Sequence, residues 1–264
     1  DVLTMTATPI PRTLHMSLTG LKDMSLVDTP PEYRLAIKTY VTELNENTIK
    51  HAVQRELARG GQVYFVHNRV QTIEGVGAYL RQLLPGIKVA VAHGQMPKRQ
   101  LEKVMVAFLN RENDILLCTS IIESGLDIPN VNTIFVHMAH RFGLADLYQL
   151  RGRVGRARHQ AYSYFFYPRG GLISTTARRR FTALQEFTEL GSGFKIAMRD
   201  LEIRGAGNVL GPEQHGFMQA VGFELYCQLL KESVDELKRN REGAFLPKND
   251  LEPEISIGVS AYIP

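Results

Sequence analysis

The chain has 264 residues, 44% hydrophobic and 22% charged. That composition excludes collagen-like and disordered classes, and at roughly 150 residues per domain it predicts one or two domains with a proper core. Two cysteines, Cys118 and Cys227, are too few for a disulfide framework or a Cys-based zinc site and point to a reducing, cytoplasmic setting. No apolar run nears the ~18 residues of a transmembrane helix, and the opening DVLTMTATPIPRT lacks the charged and apolar regions of a signal peptide. The net charge of +4 is too mild to argue for a polyanionic partner. Its distribution says more: between Arg141 and Ala206 twelve cations, all but Lys195 arginine, stand against five acids. The planar guanidinium fork suits phosphate, whereas a merely solvating surface would as readily use lysine.

In chain order, a strand-like VLTMTA runs straight into TPIPRT with nothing before it to pair with, as expected of a chain cut ahead of the last strand of an upstream domain. From residue 35 to about 167, short apolar runs alternate with amphipathic stretches. The strands are LAIKTYV, VYFV from 63, KVAVA from 88, DILLC from 114, NTIFV from 132 and YSYFFY from 162. Between them the spacing predicts helices near 46–59, 72–84, 97–109 and 144–151. In the third, Pro97 sits where a first turn tolerates it, and Leu101, Val104, Met105 and Phe108 share one face. Such alternation reads as an α/β domain, a doubly wound parallel sheet with helices on both faces. After Pro168 only helices are predicted, near 175–190, 193–203 and 217–239, with the Gly-rich RGAGNVLGPEQHG between the last two. Gly60-Gly61 and Gly170-Gly171 read as turns. The tail from Glu242 is rich in Pro and acidic residues and reads as a linker.

The sharpest segment is YQLRGRVGR, Tyr148 to Arg156. Its glycines remove side chains where backbone must approach closely, and Arg153 and Arg156, three apart at a helix end, can project in one direction. This Q-x-x-G-R-x-G-R resembles motif VI of the superfamily-2 helicases and translocases. The resemblance implies a RecA-like lobe in which Arg153 and Arg156 act as arginine fingers on ATP held by an opposing lobe, with Gln149 and Gly152 beside the γ-phosphate region. Other segments fall in that family's order. TATP, with Thr6 and Thr8, resembles motif III, which links nucleotide state to the inter-lobe interface. QVYFVHNRV resembles motif IV, with Asn68 toward nucleic acid, and AHGQM, with His93 and Gly94, resembles the next backbone-contacting motif. CTSIIESGLDIPNVNTIFV resembles motif V, where Thr119 would meet a phosphate, Gly125 the nucleotide and Asp127 its ribose. The lysine-bearing G-x-x-x-x-G-K-[ST] loop and an acidic D-E-x-H run are absent from these residues. ATP and Mg²⁺ are therefore expected to be bound mainly by the opposing lobe, with no metal ligand in this chain.

RDLEIRGAGNVLGPEQHGFMQAVGF, from Arg199, resembles the translocation motif shared by RecG and the bacterial transcription-repair coupling factors. There a helical hairpin couples lobe closure to movement on duplex DNA, a role that falls here to Arg204 and Gln214. GFELYCQLLKESVDELK and PEISIGVSAYIP resemble the coupling-factor branch. The division implied is 1–30 for the end of an upstream lobe and linker, 31–168 for the second RecA-like lobe, 169–240 for the helical translocation-motif region and 241–264 for a linker to a further domain. The implied partners are double-stranded DNA and, through domains elsewhere, RNA polymerase and excision-repair proteins. RecG-like remodelling of branched DNA and a DNA-binding module without catalysis stay open as alternatives.

Overall fold

The computed structural model describes residues 35–119, 128–156, 159–171, 173–189 and 191–204, together with residues 5, 6, 25, 27 and 232. Six strands form one sheet: β1 (Lys38–Glu43), β2 (Gln62–His67), β3 (Val89–Ala92), β4 (Ile115–Cys118), β5 (Val131–His137) and β6 (Tyr162–Tyr167). Their spatial order is β1-β6-β5-β2-β4-β3, and every pairing is parallel. Helices α1 (Glu46–Ala58), α2 (Val70–Leu83), α3 (Lys98–Leu109) and α4 (Leu144–Arg151) supply the crossovers. Helices α5 (Thr175–Glu186) and α6 (Gly193–Arg204) follow the last strand. The doubly wound, RecA-like α/β reading of the sequence is what the chain adopts.

The two-residue period of each strand divides the core. In β2, Val63 and Phe65 join the layer beneath α1 and α2, with Ile49, Val53, Ile73 and Leu80. Tyr64 and Val66 face the other way, into the layer with Met105 and Phe108 of α3 and Leu144, Leu147 and Leu150 of α4. Strand β4 repeats this, with Ile115 and Leu117 on the first face and Leu116 and Cys118 on the second. Because both faces are covered, the central strands are continuously apolar rather than alternating. Phe181, Ala183 and Leu184 of α5 and Ile196 of α6 enter the α3/α4 layer, so the appended helices share the core of the sheet.

The helix boundaries differ from the sequence expectation by one or two residues at several ends and by four at the end of α5, and two of these differences have a visible reason. Pro97 is the residue before α3, at φ −54° and ψ 135°, and its carbonyl accepts from the Gln100 and Leu101 amides. Helix α5 ends at Glu186 rather than 190. Its terminal carbonyls are taken by Arg151, whose Nη1 donates to Leu184 O at 2.9 Å and Nη2 to Phe187 O at 2.7 Å. The expected 217–239 helix and the opening strand lie outside the described residues, apart from Glu232, which is helical, and Met5 and Thr6, which are not in a strand.

Candidate functional site

Motif-bearing residues gather at both ends of the strands. At the carboxyl edge, Asn68 follows β2, Thr119 follows β4, and His93 and Gly94 follow β3. These strands are neighbours in the order β2-β4-β3, so the three loops share one rim about 10 Å wide at the usual spacing of ~4.8 Å between strands. Asn68 and Gly94 are exposed and His93 is half-buried. Thr119 is buried, its amide donating to Ala92 O at 3.3 Å, which ties the β4 loop to the end of β3.

The arginine segment lies at the opposite, amino edge. Helix α4 starts at the carboxyl end of β5 and runs back across the sheet, packing through Leu144, Leu147 and Leu150, with Val154 just beyond it in the same core layer. Asp146 caps its first turn by accepting from the Gly143 amide at 3.0 Å. Beyond Gly152 the chain turns at Gly155, whose φ of +77° lies in the left-handed region that disfavours any residue with a Cβ. A Cβ there would sit 3.1 Å from both Ile37 Cγ1 and Ala161 Cβ, the residues just ahead of β1 and β6. Glycine at 155 is thus required by conformation and by packing. The turn leaves Arg153 half-buried and Arg156 exposed on either side of the buried Val154. Gly152 is different: its φ is −70°, and a Cβ would meet only its own helix's carbonyls at 3.4 and 3.6 Å. Gln149 is half-buried on the preceding turn. Among the described residues, the candidates at the end of α4 and those on the carboxyl rim are thus separated by the height of the sheet, about 20 Å for a six-residue strand.

Three features at these edges were not singled out from the sequence. Arg151, inside the motif, is buried with its guanidinium over the Tyr148 ring, and its hydrogen bonds fasten α4 to the end of α5. Its burial could be read only from the structure, since in sequence nothing separates it from Arg153 and Arg156, which are half-buried and exposed. Glu56 is fully buried at the end of α1 and pairs with Arg59.

The third is a histidine pair at the topological switch. Chain leaving β2 turns to β3 on one side and chain leaving β5 turns to β6 on the other, which opens a crevice at the carboxyl ends. His67 and His137 are register partners there, with rings 4.9 Å apart and an Nδ1···Nδ1 contact of 3.0 Å. His67 Nε2 also bonds Thr72 Oγ1 at 2.7 Å. Burial first, then His67, Arg141 and His140, pushes His137 down to about 4. Burial, Arg69 and Arg141 lower His67 as well. A cavity of about 400 Å³ opens beside His137, among Leu44, Glu46, Tyr79, Tyr167 and Arg169. No residue singled out from the sequence lines it.

Thr6 is described and exposed, and Arg204 is the last residue of α6. Thr8, Gly125, Asp127 and Gln214 lie outside the described residues. Among the described residues no cluster of His, Cys, Asp or Glu could hold a metal ion, and no helix is long and apolar enough to cross a membrane. Cys118 is a buried free thiol pushed up by its burial.

Residues 45–158 match the family described as the helicase conserved C-terminal domain. These residues belong to the helicase C-terminal domain family. The match takes in β2 through the arginine segment and all four crossover helices. Over its whole length the chain is 55% identical to a transcription-repair-coupling factor of Bacillus subtilis and 53% identical to one of Staphylococcus aureus. It spans 22% of each of these relatives. Its fold also resembles a solved structure of RecG bound to a three-way DNA junction, at a TM-score of 0.68 and 32% identity. That likeness covers 90% of this chain and 30% of the other.

Proposed function

We propose that this helicase C-terminal domain, with the helices after it, is the second motor lobe of an ATP-dependent double-stranded DNA translocase of the coupling-factor type. The observation that carries the reading is the end of α4, where a glycine-enforced turn sets Arg153 and Arg156 at the amino edge of the sheet, opposite the rim that holds Asn68, His93, Gly94 and Thr119. Bound ATP supplies the phosphoanhydride whose cleavage drives the motor. The residues here fit that group: Arg156 is exposed, and Gly152 lacks a side chain that its own backbone would tolerate, which leaves room for close approach. Arg153 and Arg156 stabilise charge developing on the transferred phosphoryl oxygens, a contribution of about 10³ to 10⁵ in rate for an arginine supplied across a cleft. Gln149, Gly152, Gly125 and Asp127 are assigned to the nucleotide, and Mg²⁺ to the opposing lobe.

Asn68, His93, Gly94 and Thr119 are assigned to the DNA backbone along the carboxyl rim. Arg204 and Gln214, with Thr6 and Thr8, transmit lobe closure to the duplex. Identity of 53–55% along the whole chain, against 32% to RecG, supports the coupling-factor branch over branched-DNA remodelling. The activity of the larger protein would then be displacement of stalled RNA polymerase and recruitment of excision repair in the cytoplasm, through partners contacted by other domains.

The test is complementation. This chain alone should show no DNA-stimulated ATP hydrolysis, and adding a first lobe that carries the phosphate-binding lysine loop should restore it. Turnover by the chain alone refutes the two-lobe reading.

A further inference from the structure

Helix α1 ends beside the start of β6, a few residues beyond the two arginines in sequence. Glu56, on its last turn, is fully buried, and its carboxylate accepts from Arg59 Nε at 3.1 Å, from Arg59 Nη2 and from the Thr133 hydroxyl of β5. Gly61 makes room for this carboxylate, since a Cβ there would fall 1.9 Å from Glu56 Oε1. Held by that fork, Arg59 directs Nη1 at the carbonyl of Gln160, 2.8 Å away. Gln160 Nε2 in turn donates to Ala36 O at 2.7 Å and to Ala161 O at 3.1 Å. Ile37, next to the first of these acceptors, and Ala161, the second, are the residues against which Gly155 packs. Gly155 on one side and Gln160 with Ala161 on the other are therefore fastened to the amino edge of the sheet, and Arg156 directly follows Gly155.

A buried ion pair is weak evidence for stability, because desolvation offsets much of the attraction and apolar residues of equal volume serve as well. Apolar residues cannot, however, fix the direction of a backbone carbonyl. The Glu56–Arg59 fork does so, and the carbonyl it fixes lies four residues beyond Arg156. We propose that Glu56 and Arg59 are positioning residues for the arginine fingers, setting the segment that presents Arg156 to the opposing lobe. The claim rests on reading Arg153 and Arg156 as fingers. Neither Glu56 nor Arg59 touches the reacting groups. They act through Arg156.

The experiment uses a two-lobed motor that carries this chain as its second lobe. Replacing the pair together, Glu56→Gln with Arg59→Met, keeps volume and leaves no unpaired buried charge. The double variant should melt close to the parent, with kcat about 10- to 100-fold lower and KM for ATP within about twofold, as expected when a catalytic group is displaced by about 1 Å. Arg59→Lys, which keeps the charge without the fork, should fall between the two. In an Arg156→Ala background, measured by single turnover, the same double change should cause no further fall, because residues acting through one group are not additive. Gln160→Ala, which removes the side-chain hydrogen bonds to Ala36 O and Ala161 O and leaves the Glu56–Arg59 pair in place, should lower kcat several-fold in the parent and not in Arg156→Ala. It carries the test if the buried pair cannot be replaced without unfolding. Full turnover in the folded variants, or equal falls in both backgrounds, overturns the positioning claim. Parental turnover in Arg156→Ala alone overturns the finger reading, and the positioning claim with it.

Discussion

Replacing Gly155 by alanine should destabilise the chain by about 2–5 kcal/mol, whereas the same change at Gly152 should alter stability by less than about 1 kcal/mol. At Gly155 two effects add. An L-residue at φ +77° costs about 1–2 kcal/mol. A methyl group 3.1 Å from both Ile37 Cγ1 and Ala161 Cβ must also push two core residues apart, and such overpacking costs about 1–3 kcal/mol. Neither effect operates at Gly152, where φ is −70° and the nearest atoms are its own helix's carbonyls at 3.4 and 3.6 Å. The assay is urea unfolding of the chain and of both variants, read as a shift in midpoint at constant slope. Gly155→Ala within 0.5 kcal/mol of the parent (roughly the scatter of surface substitutions), or Gly152→Ala costing as much as Gly155→Ala, would refute the reasoning. In a two-lobed motor Gly152→Ala should instead lower turnover without loss of stability, since the proposal places ATP against that surface.

Four further outcomes are expected. His137 is held near 4 in the folded chain against 6.5 when unfolded, so the unfolded state binds the extra proton first; stability should fall as pH drops from about 6.5 to about 4, by at most about 3 kcal/mol, and His137→Gln should flatten that slope in unfolding curves at pH 7, 5.5 and 4.5. Arg151→Met would strand the carbonyls of Leu184 and Phe187 and should cost about 2–4 kcal/mol, with Arg151→Lys failing to rescue because one ammonium cannot replace the fork; denaturation of both variants checks this. Arg204→Ala in the motor should leave DNA-dependent ATP hydrolysis running while duplex displacement fails, and parallel loss of both with thermal stability would retire the coupling role. DNA binding by the chain should weaken steeply between low and moderate salt in a titration followed by fluorescence anisotropy, as phosphate contacts release counterions.

The sheet was legible because fully buried parallel strands leave an unmistakable trace: VYFV, ILLC and IFV are unbroken apolar runs set between stretches of other character. The GRxGR segment was legible as a motif, and Gly155 gives it a physical cause that spacing alone could not supply. What escaped were polar residues whose partners are distant in sequence. Arg59 meets a carbonyl 101 residues away, Arg151 meets carbonyls 33 and 36 residues away, and His67 stacks on a ring 70 residues away. In the sequence each looks like an exposed helix cation or a loop histidine, because periodicity reports which face is apolar and says nothing of which polar group enters it. The early end of α5 escaped for the same reason, since the guanidinium that takes its last carbonyls belongs to α4.

The central claim is that Arg153 and Arg156 act on a nucleotide held by another lobe, and the most direct measurement is ATP turnover beside ATP affinity for Arg156→Ala in a two-lobed motor. Turnover should fall by about 10³ or more while the dissociation constant for ATP stays within a few-fold, because the guanidinium stabilises charge that develops only during transfer. Unchanged turnover, or affinity and rate falling together by the same factor, would contradict the account.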